Sequence, residues 1–154
     1  MAHMISEADV AFMTLALAEA QKAAEEEETP IGAVVVKNGK VLVAAHNKRE
    51  AWRDIAAHAE LIAIREAEKQ LGDWRLSDCT VYITLEPCPM CAGALLAARV
   101  GRVVYGARDP VAGAFGTVVN LPRYPLGSNP AVTAGVMEAE CRRILQDFFR
   151  ARRK

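Results

Sequence analysis

The chain has 154 residues, 52% of them hydrophobic, with 19 Lys and Arg balanced by 19 Asp and Glu; this predicts one compact domain over residues 1–154 and leaves little chain for a second. No apolar run approaches the ~20 residues that span a bilayer, and no basic segment leads into an apolar one at the start, so no membrane span or secretory signal is expected. The expected compartment is the cytoplasm, where cysteines stay reduced, and balanced charge neither demands nor forbids a nucleic-acid partner.

Met1-Ala-His-Met4 reads as a cloning remnant, which removes His3 from consideration. Ser6-Glu-Ala-Asp9 is a capping box, and Val10, Met13, Leu17, Ala20 and Ala24 recur at helical spacing, predicting a first helix to about Glu27 with a solvated acidic run at Glu25–Glu28. Pro30 stops it. Ile31–Val36 and Val41–Ala45 then flank Asn38-Gly39, the signal of a hairpin, and their unbroken apolar runs predict strands buried on both faces. His46 reads as a strand-end surface residue, and Asn47 is open between turn former and ligand. A loop through Trp52 and Asp54 leads to a second helix, about Ala57–Leu71, with Leu61, Ile64, Ala67 and Leu71 as its core stripe and Gly72 as its stop.

Thr80–Leu85 is a third strand that delivers Glu86-Pro87-Cys88 into a third helix, with Pro89 suited to its first turn. Small residues from Ala92 to Ala98 make that helix narrow. Arg102–Gly106 is a fourth strand, Ala107–Pro130 is loop-rich, Ala131–Thr133 adds a short fifth strand, and a last helix from about Val136 buries Val136, Ala139, Ile144, Leu145 and Phe148. Strands alternating with helices predict an α/β fold, three-layered, with a partly parallel sheet between helices. Arg142, Arg143, Arg150, Arg152, Arg153 and Lys154 make the C-terminus basic.

The chemistry concentrates in His58-Ala-Glu60 and Pro87-Cys-Pro-Met-Cys91. Cys88 and Cys91, three apart at a helix start, can direct both sulfurs past the first turn at one metal ion, with His58 as third ligand. Two thiolates and one imidazole leave a tetrahedral zinc with its fourth position open to water, the pattern of a catalytic rather than a structural site. A CxxC pair alone is often a redox pair; with His58, Glu60 and Pro87 at this spacing the metal reading dominates, and a four-cysteine site lacks its second pair because Cys79 and Cys141 are isolated and read as buried apolar residues. Glu60 cannot share a helix face with His58, two residues turning a helix by about 200°. Both converge only if the ion lies beyond the helix tip, where Glu60 can move protons. H-x-E followed by P-C-x-x-C is the signature of the zinc deaminases.

Over nearly its full length the chain resembles the bacterial tRNA-specific adenosine deaminases, through Pro30-Ile-Gly-Ala-Val34, Asn47, His58-Ala-Glu60, Trp74-Arg-Leu76, Thr84–Ala94, Val104–Pro110, Gly113-Ala-Phe-Gly116, Asn120-Leu121 and Asp147-Phe-Phe-Arg150. The resemblance implies a cytidine deaminase-like fold with a mixed five-stranded sheet, one Zn2+ per subunit, a homodimer, and conversion of the wobble adenosine of a tRNA anticodon stem-loop, tRNA-Arg, to inosine; the alternative within the same motif is a free-base enzyme such as guanine deaminase. It further implies that Asn47 hydrogen-bonds the flipped nucleoside, that Ala59 offers a backbone N–H, and that Pro30 and Ile31 wall the base. Asp109 would lie near the flanking nucleotides, and Phe149, Arg150 and Arg153 would meet the anticodon loop. The tail reads equally as a core phenylalanine pair with a solvated basic end. Two departures stand out: Asp54-Ile-Ala-Ala-His58 lacks the Pro-Thr often found before the histidine, and Leu121–Pro130 carries Arg123, Tyr124 and three prolines where many relatives have histidines.

Overall fold

The computed structural model describes residues 4–152, so Arg153, Lys154 and all but the last residue of the expected cloning remnant lie outside the described residues. In chain order the elements are α1 (Glu7–Glu25), β1 (Gly32–Lys37), β2 (Lys40–His46), α2 (Arg49–Trp52), α3 (Ala59–Leu71), β3 (Cys79–Leu85), α4 (Pro89–Ala97), β4 (Arg102–Ala107), a 3-10 turn (Leu121–Arg123), β5 (Ala131–Ala134) and α5 (Glu138–Arg152). The strands form one sheet in the order β2-β1-β3-β4-β5. The β1 strand runs antiparallel to β2 and β3, whereas β3, β4 and β5 are parallel. Helices cover both faces, α1 and α5 on one and α3 and α4 on the other, giving the mixed three-layer α/β/α arrangement of the cytidine deaminase-like fold. No helix among the described residues is long and apolar enough to cross a membrane.

Alternation along the central strands divides the core in two. Ala33, Val35, Val81, Ile83, Val103 and Tyr105 pack toward α3 and α4, whereas Val34, Val36, Tyr82 and Val104 pack toward α1 and α5. Leu95 and Leu96 of α4 are fully buried, and truncating either to Ala costs about 2–5 kcal/mol. The first strand is buried on both faces as expected, but β2 is the sheet's edge and shows alternating exposure, with Val41 and Ala44 outward. Both α1 and α3 reach β2, but as the edge strand it has a neighbouring strand on one side only and is incompletely covered, a placement that an apolar run cannot reveal.

The capping box at Ser6 forms as expected, Asp9 N–H donating to Ser6 Oγ at 3.0 Å and Ser6 N–H to Asp9 Oδ2 at 3.1 Å. The inward stripe of α1 is, however, Asp9, Met13, Ala16, Ala20 and Ala23, leaving Val10 exposed. Two facts rotate it. Backbone meets backbone at Gly32, where an added Cβ would lie 1.9 Å from the Ala16 carbonyl oxygen, so only small helix residues fit there. Asp9 is buried because Arg102 donates to both its oxygens, at 2.8 and 2.9 Å, and the Tyr82 hydroxyl donates at 2.7 Å. In α5 the buried residues are Cys141 and Phe148; Ala139 is exposed, and Val136 is buried from the loop before the helix, which starts only after positive-φ residues at Gly135 and Met137.

Candidate active site

The parallel β3-α4-β4 crossover places the start of α4 at the carboxyl edge of the sheet, the usual ligand edge of α/β folds. Cys88 is the N-cap of α4, Pro89 its first residue and Cys91 lies in its first turn. His58 is the N-cap of α3. The His58 side chain makes no capping bond to its own helix, unlike the usual Ser or Asp cap, and the Cys88 sulfur lies beside Cys91 in the first turn of α4, so both face a common point. His58 Nδ1 lies 3.4 Å from Cys91 Sγ and 3.8 Å from Cys88 Sγ. Ordinary zinc bond lengths in a tetrahedron require an N-to-S edge of about 3.6 Å, and the two separations straddle it. The three ligand atoms all lie within 4.8 Å of one another. The two helix starts aim their positive ends at this point, favouring thiolates.

Glu60, in the first turn of α3, is buried, and its Oε1 has no hydrogen-bond partner. An orphaned buried carboxylate oxygen is costly and marks a place for a partner that arrives later. Burial pushes its carboxyl up to about 7, against the pull of its own backbone N–H and of His58, so it can both take and give a proton near neutrality. The Cys88 thiol is held down at about 4, chiefly by its hydrogen bond with Cys91 and, against burial, by His58. Cys91 is pushed far up by the Cys88 sulfur and by burial, and His58 up by its hydrogen bond with Cys88. The thiols and ring thus share protons that a divalent cation would displace.

The other residues expected around the base gather at the same edge. Gly32 pairs with His46 across the hairpin and donates to Thr84 Oγ1 at 3.1 Å, fixing Pro30 and Ile31 beside the end of β3. Asn47 is buried, and its N–H donates to the Ile31 carbonyl at 3.1 Å. Lys48 N–H donates to the Ala57 carbonyl at 2.9 Å, joining this strand end to His58. Ala59 is buried within the first turn of α3. The loop expected through Trp52 contains α2, whose Glu50 and Ala51 N–H groups donate to buried Glu28 at 3.0 and 2.7 Å. The acidic run is therefore not wholly solvated. His46 is not a free surface residue either: its ring faces Glu19 and Glu26.

A cavity of about 920 Å3 opens along this edge between the β4 exit and α5. Asp109, Phe149 and Arg150 line it, together with Arg49, Arg108 and Arg142. Phe148 is buried with the core while Phe149 is 47% exposed, so the pair divides between core and cavity. Asp109 also holds its own loop, Oδ1 accepting from the N–H groups of Val111 and Ala112. Glu86 is the residue that sequence reasoning missed. Buried at the end of β3, its carboxylate accepts from Asp109 N–H at 3.1 Å, Phe115 N–H at 3.0 Å, Thr117 N–H at 3.1 Å and the Thr117 hydroxyl, ordering the loop expected to be irregular. Three backbone donors on one carboxylate have no sequence signal.

The MafB19-like deaminase family model matches residues 7–153. The tRNA-specific adenosine deaminase of Bacillus subtilis is 50% identical, over 95% of this chain and 91% of its own length. A solved structure from a study of A-to-I editing by tRNA:A34 deaminases at the wobble position of transfer RNA superposes with a TM-score of 0.85 at 44% identity, covering 88% of this chain and 99% of that one. Bacillus subtilis guanine deaminase superposes less fully, with a TM-score of 0.62 at 40% identity over 64% of this chain and 63% of that one. With His58, Cys88 and Cys91 converging beside a buried Glu60 and similarity on this scale, the chain belongs to the tRNA-specific adenosine deaminase family.

Proposed function

We propose that the chain is a single zinc-dependent domain that hydrolyses adenosine to inosine at the wobble position of a tRNA anticodon, in the cytoplasm, with tRNA-Arg as substrate and a homodimer as the working form. The observation that carries this reading is the buried, unpartnered Glu60 oxygen beside three converging metal-ligand atoms. His58, Cys88 and Cys91 would hold one Zn2+ per subunit, which when bound supplies a Lewis acid that brings the pKa of water toward ~7.

The remaining steps belong to the chain's own residues. Glu60 accepts a proton from the attacking water and hands it to the purine ring nitrogen next to the reacting carbon, then takes the second proton from the hydroxyl left on that carbon and gives it to the departing exocyclic amine. Adenosine and water thus become inosine and ammonia, with one carboxylate acting first as base and then as acid. Asn47 orients the flipped nucleoside, Pro30 and Ile31 wall the base, and the Ala59 N–H lies near the reacting centre. Their shared sheet edge supports these roles. Asp109 and the arginine-lined cavity would receive the loop nucleotides, Phe149 stacking on an unpaired base while Arg150 and Arg153 meet phosphates.

Incubation of the purified protein with an anticodon stem-loop and, separately, with free guanine tests the proposal. Inosine at the wobble position is expected. Ammonia released from guanine alone overturns the RNA reading and leaves the deaminase chemistry standing.

A further inference from the structure

Asn47 sits between two residues that share one anchor. Glu26 Oε1, just past the end of α1, accepts from His46 Nε2 at 3.0 Å and from Lys48 Nζ at 3.0 Å. The other ring nitrogen, His46 Nδ1, meets Glu19 Oε1 at 2.9 Å. The imidazole thus spans two carboxylates, one at each ring nitrogen. The charged groups facing His46 are Glu19 and Glu26 on the α1 side, with Lys22 2.9 Å from Glu19 and Lys48 on Glu26; β1 presents only Gly32 opposite it. Burial would raise the Glu19 carboxyl, but hydrogen bonds with His46 and Lys22 hold it below its ordinary value, and hydrogen bonds with Lys48 and His46 lower that of Glu26.

We infer that Glu26 and His46 form a tether that positions Asn47 for the nucleoside, linking the end of α1 to the exit of β2 on both sides of that residue. This rests on the proposed role of Asn47 above. His46 and Glu26 touch no reacting atom; they act through the backbone of Asn47, whose N–H is bound to Ile31, and of Lys48, whose N–H is bound to Ala57.

The test is a double-mutant cycle on the zinc-loaded protein with the anticodon stem-loop, using Glu26→Gln, His46→Gln and Asn47→Ala. Each tether variant is expected to raise KM about two- to fivefold with kcat little changed, as for loss of one partly exposed pair on a carboxylate. Combined with Asn47→Ala, neither should add a further loss. His46→Arg, which carries donors at both edges of its guanidinium, should restore the KM raised by His46→Gln. Independent losses that add, or a kcat effect without a KM effect, overturn the tether. Hydrogen exchange gives the arm that needs no activity: Glu26→Gln should lower protection of the Asn47 and Lys48 amides while leaving the middle of α3 unchanged. If the wild-type chain deaminates nothing, the functional proposal fails and this exchange result alone decides the tether; unchanged protection rejects it.

Discussion

Replacing Glu86 by Gln tests whether one buried carboxylate organises the loop beyond β4. The carboxylate accepts from three backbone N–H groups and one hydroxyl. Gln keeps one acceptor oxygen and turns an NH2 toward groups that also donate, so at least one backbone donor is left unpaired. Hydrogen bonds to a charged acceptor contribute about 1.5–3 kcal/mol each, and stranding a buried donor costs about 1–3 kcal/mol. Weakening two bonds and stranding one donor therefore predicts about 4 kcal/mol, allowing for partial relaxation. For a chain of this size each 1 kcal/mol shifts Tm by about 2–4 °C, so a fall on the order of 10 °C is expected by calorimetry. Gly113 sharpens the expectation, because its Cα packs so closely that an added Cβ would lie 2.6 Å from the Glu86 carboxyl. Gly113→Ala should mimic the Glu86 defect. A Glu86→Gln variant melting within about 2 °C of the parent, with normal exchange at Phe115 and Thr117, would show that the loop is held by something else.

Glu60→Gln should lower deamination by about 10²–10⁴-fold, while elemental analysis still finds zinc. Removing metal with a strong chelator should abolish activity and lower Tm, zinc restoring both, because metal affinity adds to folding free energy. Phe149→Ala should weaken stem-loop binding at every salt concentration, whereas Arg142→Ala should also flatten the salt dependence if that guanidinium meets a phosphate. Asp9 gives the pH prediction. Burial would raise its carboxyl, but hydrogen bonds from Arg102, Tyr82 and Ser6 outweigh it and hold it well below the usual range. Its contribution is therefore complete above the unfolded value of about 4 and is lost as pH falls below it. Urea titrations at about pH 7 and about pH 3 should show the parent losing more stability than Asp9→Asn does.

The chemistry was legible because it is local: His58 and Glu60 are two residues apart, Cys88 and Cys91 three, and each pair sits at a helix start announced by its own residues. The element order was legible for a related reason, since Asn38-Gly39, Gly72 and Pro89 act on the backbone where they stand. Asn38 and Gly39 do adopt positive φ, and Gly72 is the left-handed cap of α3. What escaped depends on distant partners. Val10 and Asp9 exchange roles because Arg102 and Tyr82 lie far along the chain. Glu28 and Glu86 look like solvated carboxylates until the loops that cap on them have folded. The exposure of β2 follows from its place at the sheet edge, which a hydrophobic pattern does not encode.

Every described residue given a chemical role lies on one rim of the sheet, where β1 begins and where β2, β3 and β4 end. The opposite rim is built from the Asn38-Gly39 hairpin, the stop of α3 at Gly72 and the turn into β4 at Gly101. That far rim is the natural attachment point for a fluorophore, a surface anchor or a fused partner. Residues 38–40 are exposed at the hairpin tip, and a handle inserted there would stand a full strand length from the chemistry.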